Sequence, residues 1–260
     1  MVDSPQQVAI VTGSTQGLGE AIARRLVDNG LIGGLVLCGR SAERGQRLAR
    51  DLSLPGCRTW FVQADLAYVE ACREVVDVAR RAFGRVDMLV NSAATSERGT
   101  ILDSTPELFD RIMALNVRAP FFLMQGAIAA MIERGTAGSI LNIISMSSYG
   151  GQPFLCPYST SKGALVTLTK NVAQSVLKHR IRINGLNLGW MDTPGEDAIQ
   201  KRFHGAADDW LAKAEKEQPF GRLVKPAEVA AMAAFLLSER SGLMTGSVID
   251  FDQNVMGTYA

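Results

Sequence analysis

The 260-residue chain holds no apolar run approaching the roughly 20 residues that span a bilayer. Its start, Met-Val-Asp-Ser-Pro-Gln-Gln, has neither the basic patch nor the apolar stretch of a secretory leader, so a cytoplasmic protein that meets no membrane is expected. An excess of one charge is also lacking. The 27 Lys and Arg residues are interspersed with 26 Asp and Glu, for a formal net charge of +1, and nothing in that balance draws in nucleic acid. Only two histidines occur, His179 and His204, without ligand partners at useful spacing, and no metal site is expected. The four cysteines, Cys38, Cys57, Cys72 and Cys156, form no Cys-x-x-Cys or zinc pattern and read as small buried hydrophobes. Cys156, two residues before Tyr158, is alternatively placed to line a substrate pocket.

What is present is a regular alternation. Hydrophobic residues make up 47% of the chain, as in a globular protein. Short apolar runs predict strands over 8–12, 35–38, 60–63, 88–90, 139–145, 182–188 and 246–251. Helical patterns lie between them, over 18–27, 44–52, 69–83, 158–179 and 227–237. Another starts at Pro106, runs to Val117 and continues toward residue 133, with Ser104 and Thr105 as alternative N-caps. No linker or repeat interrupts the pattern. It predicts an α/β fold: a single Rossmann-type domain over 1–260, with a doubly wound parallel sheet between two helical layers. Ligands in such folds lie beyond the carboxyl ends of the strands. Gly13, Arg40, Asp65, Asn91, Ser145 and Gly189 each end or follow a strand.

Two groups of residues carry the chemistry. Gly13, Gly17 and Gly19 fall between the first strand and the first helix, where a turn needs positive φ and the helix offers free N–H groups to phosphate. Their Gly-x-x-x-Gly-x-Gly spacing is not the usual dinucleotide fingerprint, and an ordinary strand-to-helix turn is the competing reading. The second strand ends Gly39-Arg40-Ser41, with no carboxylate to hold ribose hydroxyls. Arg40 is suited to a 2′-phosphate, which favours NADP(H) over NAD(H), although a solvated surface arginine would look the same. Tyr158 and Lys162, four residues apart, share a helix face. A nearby ammonium lowers the pKa of a phenol, so the pair predicts a proton donor and acceptor for an alcohol or carbonyl. Ser145 is positioned to bond the substrate oxygen, with Ser147 and Ser148 as competitors. Asn116 sits in a helix interior, where asparagine is poorly suited, and reads either as part of a proton relay or as a satisfied buried amide.

With those residues in place the chain resembles the classical short-chain dehydrogenase/reductase family over nearly its whole length. Thr12-Gly13-Ser14-Thr15-Gln16-Gly17-Leu18-Gly19 is similar to the family's cofactor turn, Asp65-Leu66 to its adenine-contacting pair, and Asn91-Ser92-Ala93-Ala94, with two departures, to its Asn-Asn-Ala-Gly segment. Asn116, Ser145, Tyr158 and Lys162 resemble its catalytic tetrad in order and spacing. The resemblance implies that Lys162 also holds the nicotinamide ribose and that Asn91 supports the strand beside it. Gly189 and Thr193 are implied as cofactor contacts, though Asn187-Leu188-Gly189 lacks the family's proline and 250–254 departs from its Asp-Gly-Gly. The C-terminal tail is then expected at a pocket wall or subunit contact, and a homodimer or homotetramer is implied.

Residues 190–220 are implied to form a lid. They carry Trp190, Phe203 and Trp210 among charged residues, which points to a polar substrate such as a sugar or polyol; an amphipathic helix with a solvated face is the plainer reading. The reaction implied is hydride transfer between NADP(H) and a secondary alcohol or carbonyl. The alternatives are an NAD-dependent dehydrogenase of the same family and a non-catalytic NADP(H)-binding regulator. Tyr158 and Lys162 are both intact, and length argues against an extended-branch epimerase.

Overall fold

A computed structural model of the chain describes residues 7–257. Seven strands form one all-parallel sheet in the order β3-β2-β1-β4-β5-β6-β7. They are β1 Val8–Thr12, β2 Gly34–Gly39, β3 Arg58–Gln63, β4 Met88–Asn91, β5 Gly138–Ile143, β6 Ile181–Leu188 and β7 Val248–Phe251. The helices are α1 Gly17–Asp28, α2 Ala42–Leu52, α3 Val69–Phe83, α4 Pro106–Met113, α5 Ala119–Arg134, α6 Cys156–Ser175, α7 Pro194–His204, α8 Trp210–Lys216 and α9 Pro226–Leu237.

The period of two along β1 builds both faces of the sheet. Ala9 and Val11 pack with Ile22 and Leu26 of α1 and Val229 and Ala233 of α9. Ile10 points the other way, into a second core with Val75 of α3 and Leu123 and Met131 of α5. With helices on both faces, a continuous apolar run is what a central parallel strand requires, and all five residues of β1 are buried. Connections leave β1 toward β2 on one side and β4 is reached on the other, so a crevice opens at the end of β1, where strand order reverses.

Several element ends differ from the sequence pattern for local reasons. Thr105 caps α4, accepting a hydrogen bond from the Leu108 N–H, while Ser104 turns its hydroxyl to the Thr100 carbonyl. The five residues Ala114–Arg118, Asn116 among them, widen to a π-turn and join α4 to α5 without a break. The joined helix, Pro106–Arg134, is apolar and long enough to cross a membrane by length and composition; half of its most apolar window is buried inside the fold. The β5 ladder stops at Ile143, leaving Ser145 extended beyond it as the cap of a short 3₁₀ turn. Helix α6 ends at Ser175 rather than 179, because a single 3₁₀ turn follows and Arg180, at φ 58°, turns the chain into β6.

Candidate active site

A cleft of about 1000 Å³ opens along the carboxyl ends of the strands. At one end lies the glycine turn. Gly13 has φ +62°, and a Cβ there would sit 2.8 Å from the Ala93 Cα; a Cβ on Gly19 would run into the Gly13 carbonyl. Thr12 locks the approach. Its hydroxyl donates to the Val90 carbonyl at 3.1 Å and accepts from the N–H groups of Ser92 and Ala93 at 2.9 and 3.0 Å. Ser14 faces inward, paired with the backbone of Cys38, and does not line the cleft. Thr15, Gln16, Gly17 and Leu18 do line it, and no side chain caps the start of α1. Uncapped N–H groups at the first turn of α1, approached over glycines, fit a pyrophosphate.

Arg40 lines the cleft where β2 ends, and Arg44, which sequence reading passed over, joins it there and hydrogen-bonds the Gln16 side chain. Asp65, Leu66 and Ala93 line the adjoining wall. Asn91 does not reach the cleft. Its amide donates to Asn142 at 2.8 Å, and Asn142 donates to Thr169 at 2.9 Å, a buried chain that ties β4 and β5 to α6. A Cβ on Gly189 would meet the Asp252 side chain, which would have to move aside. With Leu188 in place of proline, β6 pairs through Leu188 with Phe251, and the Gly189 N–H donates to the Phe251 carbonyl at 3.1 Å. Thr193 caps α7 and lines the cleft beside Gly17.

Ser145, Tyr158 and Lys162 meet deeper in the same cleft. Ser145 faces Tyr158 closely enough to lower the pKa of its hydroxyl. The two competing hydroxyls are engaged elsewhere: Ser147 donates to Gln152 and Ser148 to Asn187. Lys162 is buried, donates to the Ile143 carbonyl at 2.8 Å, and lies 5.6 Å from the centre of the Tyr158 ring. Asn116 is fully buried outside the cleft, its amide bonded to both backbone groups of Thr95 and to the Ser161 hydroxyl. The electrostatics differ from the simple pairing. Tyr158 as a whole keeps some exposure to the cleft, but protein encloses it closely enough that burial raises its pKa; Glu196 raises it further, while Ser145 and Arg98 oppose. Burial pushes Lys162 down to about 8. In this fold burial is the leading cause of both shifts, and neither group is among the causes of the other's shift.

The lid segment contains α7 and α8. Trp190 lines the cleft and stacks on Trp210 at 6.1 Å, while Trp210 is itself buried and its indole N–H donates to Asp197. The indole of Trp190 donates to Glu196 at 2.8 Å. Glu196 and His204 reach the cleft; Asp197, Lys201 and Asp208 pair among themselves outside it. The tail contributes Asp252, Asn254 and Met256 to the wall, and Gln253 fastens it to Phe220 and Arg222. Cys156 is absent from the lining, a correction to the pocket expected for it: it opens α6 half-buried, below the turn that presents Tyr158. Burial raises Cys38 to about 12 and Cys72 to about 11, so both are inert thiols.

A family model described as enoyl-(acyl carrier protein) reductase matches residues 13–253. The chain is also 33% identical over 249 residues to dehydrogenase/reductase SDR family member 4 of Sus scrofa, covering 94% of this chain and 85% of the relative. The chain belongs to the short-chain dehydrogenase/reductase family. As a short-chain dehydrogenase/reductase it is an oxidoreductase acting on CH–OH groups with NAD(P). Among solved structures it superposes with TM-score 0.89 on L-sorbose reductase from Gluconobacter frateurii complexed with NADPH and L-sorbose, at 31% identity and 98% coverage of both chains. An NAD⁺-bound xylitol dehydrogenase superposes at TM-score 0.85 and 25% identity, covering 95% of this chain and 98% of that one.

The buried ammonium gives a test that does not depend on turnover. Lys162→Met keeps an unbranched apolar stem, one atom shorter, and removes the charge. Between pH 8 and the ordinary lysine value of 10.5 the unfolded chain holds a proton that folded Lys162 does not, so the wild type gains stability with rising pH across that window. Denaturant unfolding at a series of pH values should show the variant's relative stability greatest below pH 8 and declining by up to about 3 kcal/mol above it. A stability difference independent of pH would contradict the burial of charge at this position.

Proposed function

We propose that the protein is an NADP(H)-dependent oxidoreductase interconverting a secondary alcohol and a carbonyl on a sugar- or polyol-like substrate. The observation that carries this reading is the convergence of Ser145, Tyr158 and the buried Lys162, whose ammonium lies 5.6 Å from the Tyr158 ring centre, in the same cleft as the glycine turn. Residues of that turn would hold the pyrophosphate, and Lys162 the nicotinamide ribose. The chemistry that NADP(H) supplies is hydride transfer at the nicotinamide. Tyr158 gives its proton to the oxygen of a carbonyl undergoing reduction, or takes the proton of an alcohol undergoing oxidation. Ser145 orients that oxygen and steadies its developing charge. Asn116 acts one step back, holding Thr95 and Ser161 in register next to Lys162.

The NADP(H) preference rests on charge. Arg40 and Arg44 stand together at the end of β2, and the strand ends without a carboxylate. Two guanidinium groups suit a 2′-phosphate and leave ribose hydroxyls without the acceptor that NAD(H) sites use. The polar substrate rests on Gln152, Glu196, Gln200 and His204 in the wall, and on the L-sorbose and xylitol enzymes among the structural relatives. We further propose a homodimer or homotetramer joined through α4 and α5, where Phe109 and Phe121 stand exposed.

Tyr158→Phe should lower kcat by about 10²–10⁴ while leaving the Kd for NADPH, read by fluorescence, unchanged. Because burial raises the Tyr158 pKa, the phenol is the protonated donor at neutral pH. The wild-type kcat/KM for alcohol oxidation should accordingly rise with pH through the alkaline range, and that for carbonyl reduction should fall. Full activity in the variant would end the proton-transfer assignment. Arg40→Asp should weaken NADPH binding about 10–100-fold without weakening NADH; an unaltered preference would remove Arg40 from the cofactor site. Phe121→Glu should shift the mass measured by light scattering toward a single chain, and an unchanged mass would place the subunit contact elsewhere.

A further inference from the structure

Arg98 lies in the loop between β4 and α4, and no motif singles it out. In the structure its side chain lines the catalytic cleft. The Nε–H donates to Nε2 of His204 on α7 at 3.2 Å, Nη1 donates to the Ser96 carbonyl at 2.9 Å, and the guanidinium lies 5.5 Å from the centre of the Phe154 ring. A guanidinium has five N–H groups, so about three, on Nη1 and Nη2, remain uncommitted. Among the described residues no carboxylate forms an ion pair with it. Glu196 is the acidic group that bears on Arg98, and its Oε1 is already engaged by Trp190 and Gln200. Burial makes the unpaired charge costly, as the lowered Arg98 pKa reflects, and the same charge bears on Tyr158.

We propose that Arg98 is the specificity-determining residue of this site and that the substrate is an acidic polyol or sugar derivative, carrying a carboxylate or phosphate group near the reacting carbon. The proposal rests on the oxidoreductase reading above. Arginine pinned by His204, Ser96 and Phe154 presents a fixed fork of donors, and a two-oxygen anion satisfies such a fork with two parallel hydrogen bonds. Binding the anion would give the half-buried guanidinium the direct ion pair that Glu196, acting on it without one, does not form. The His204 contact needs a lone pair on Nε2, so the pinning uses the neutral imidazole. Gln152 and Gln200, also in the wall, offer amides to the neutral hydroxyls of such a substrate.

The test compares kcat/KM with NADP⁺ for gluconate, sorbitol 6-phosphate and sorbitol, in the wild type and in Arg98→Met and Arg98→Lys. The expected result is a wild-type preference for one acidic compound over sorbitol. That ratio should fall by about tenfold or more in Arg98→Met, mostly through KM, and be partly restored in Arg98→Lys. Gluconate and the phosphate ester distinguish which anion the fork accepts. NADPH binding by each variant reports that the fold is intact, and Arg98→Lys keeps the comparison open if Arg98→Met does not fold. Turnover of sorbitol as good as that of both acids, with a ratio unmoved by either substitution, would overturn the inference and leave the oxidoreductase reading standing. No turnover of any compound, or of simple secondary alcohols, by a wild type that binds NADPH would overturn that reading and the inference with it.

Discussion

The ammonium of Lys162 is buried at the floor of the cleft lining, held by a single backbone carbonyl at the end of β5. Such a group is unfavourable for stability, since burial disfavours its charge and no carboxylate partners it among the described residues. The surrounding structure is arranged around keeping it there. Helix α6 presents it on the face that carries Tyr158, and the chain Asn91–Asn142–Thr169 fixes α6 against β4 and β5. Asn116 fixes the same helix from the other side through Ser161, the residue before Lys162. Three buried polar contacts thus hold a costly charge within reach of a phenol. Their geometry is what the proposed proton transfer needs, and an apolar core of equal volume would be at least as stable without it.

The second fixed point is where the paired parallel strands β1 and β4 end side by side. There Thr12 ties three backbone groups, and the hydrogen of Gly13 is all that separates the turn from Ala93. A side chain at residue 13 would push β1 and β4 apart and lift the start of α1 from the cleft. Cofactor turn and sheet packing are therefore one constraint, and the glycine spacing, ambiguous by itself, reports a backbone geometry rather than a side-chain chemistry.

That distinction governs what the sequence made legible. Strand order-setting runs such as Val8–Thr12 are short and local, and they appear at once as apolar segments between helical patterns. Tyr158 and Lys162 are four residues apart on one helix, so their convergence follows from helical geometry alone. Ends of elements were less legible because they depend on single torsions, as at Arg180, or on ladder partners far along the chain, as where β5 stops before Ser145. The sign of the Tyr158 shift was not legible at all. Proximity of a lysine is visible in sequence, but the depth of burial that raises the phenol and lowers the amine belongs to the packed fold.

Arg98 shows the same limit most clearly. Its partners His204, Ser96 and Phe154 come from three different segments, one of them 106 residues away, and no spacing rule connects them. The charged lid residues looked alike in sequence, yet the structure sorts them by pairing. Asp197 and Asp208 neutralise Lys201 outside the cleft, and Asp192 and Glu215 neutralise Lys225. Arg98 is left inside without such a partner. A lid whose charges are mostly satisfied contributes little to discrimination, because paired groups gain nothing from a ligand. An unsatisfied cation next to the proton-transfer group has its largest interaction still to make, and a substrate that supplies the missing charge gains the most from binding there.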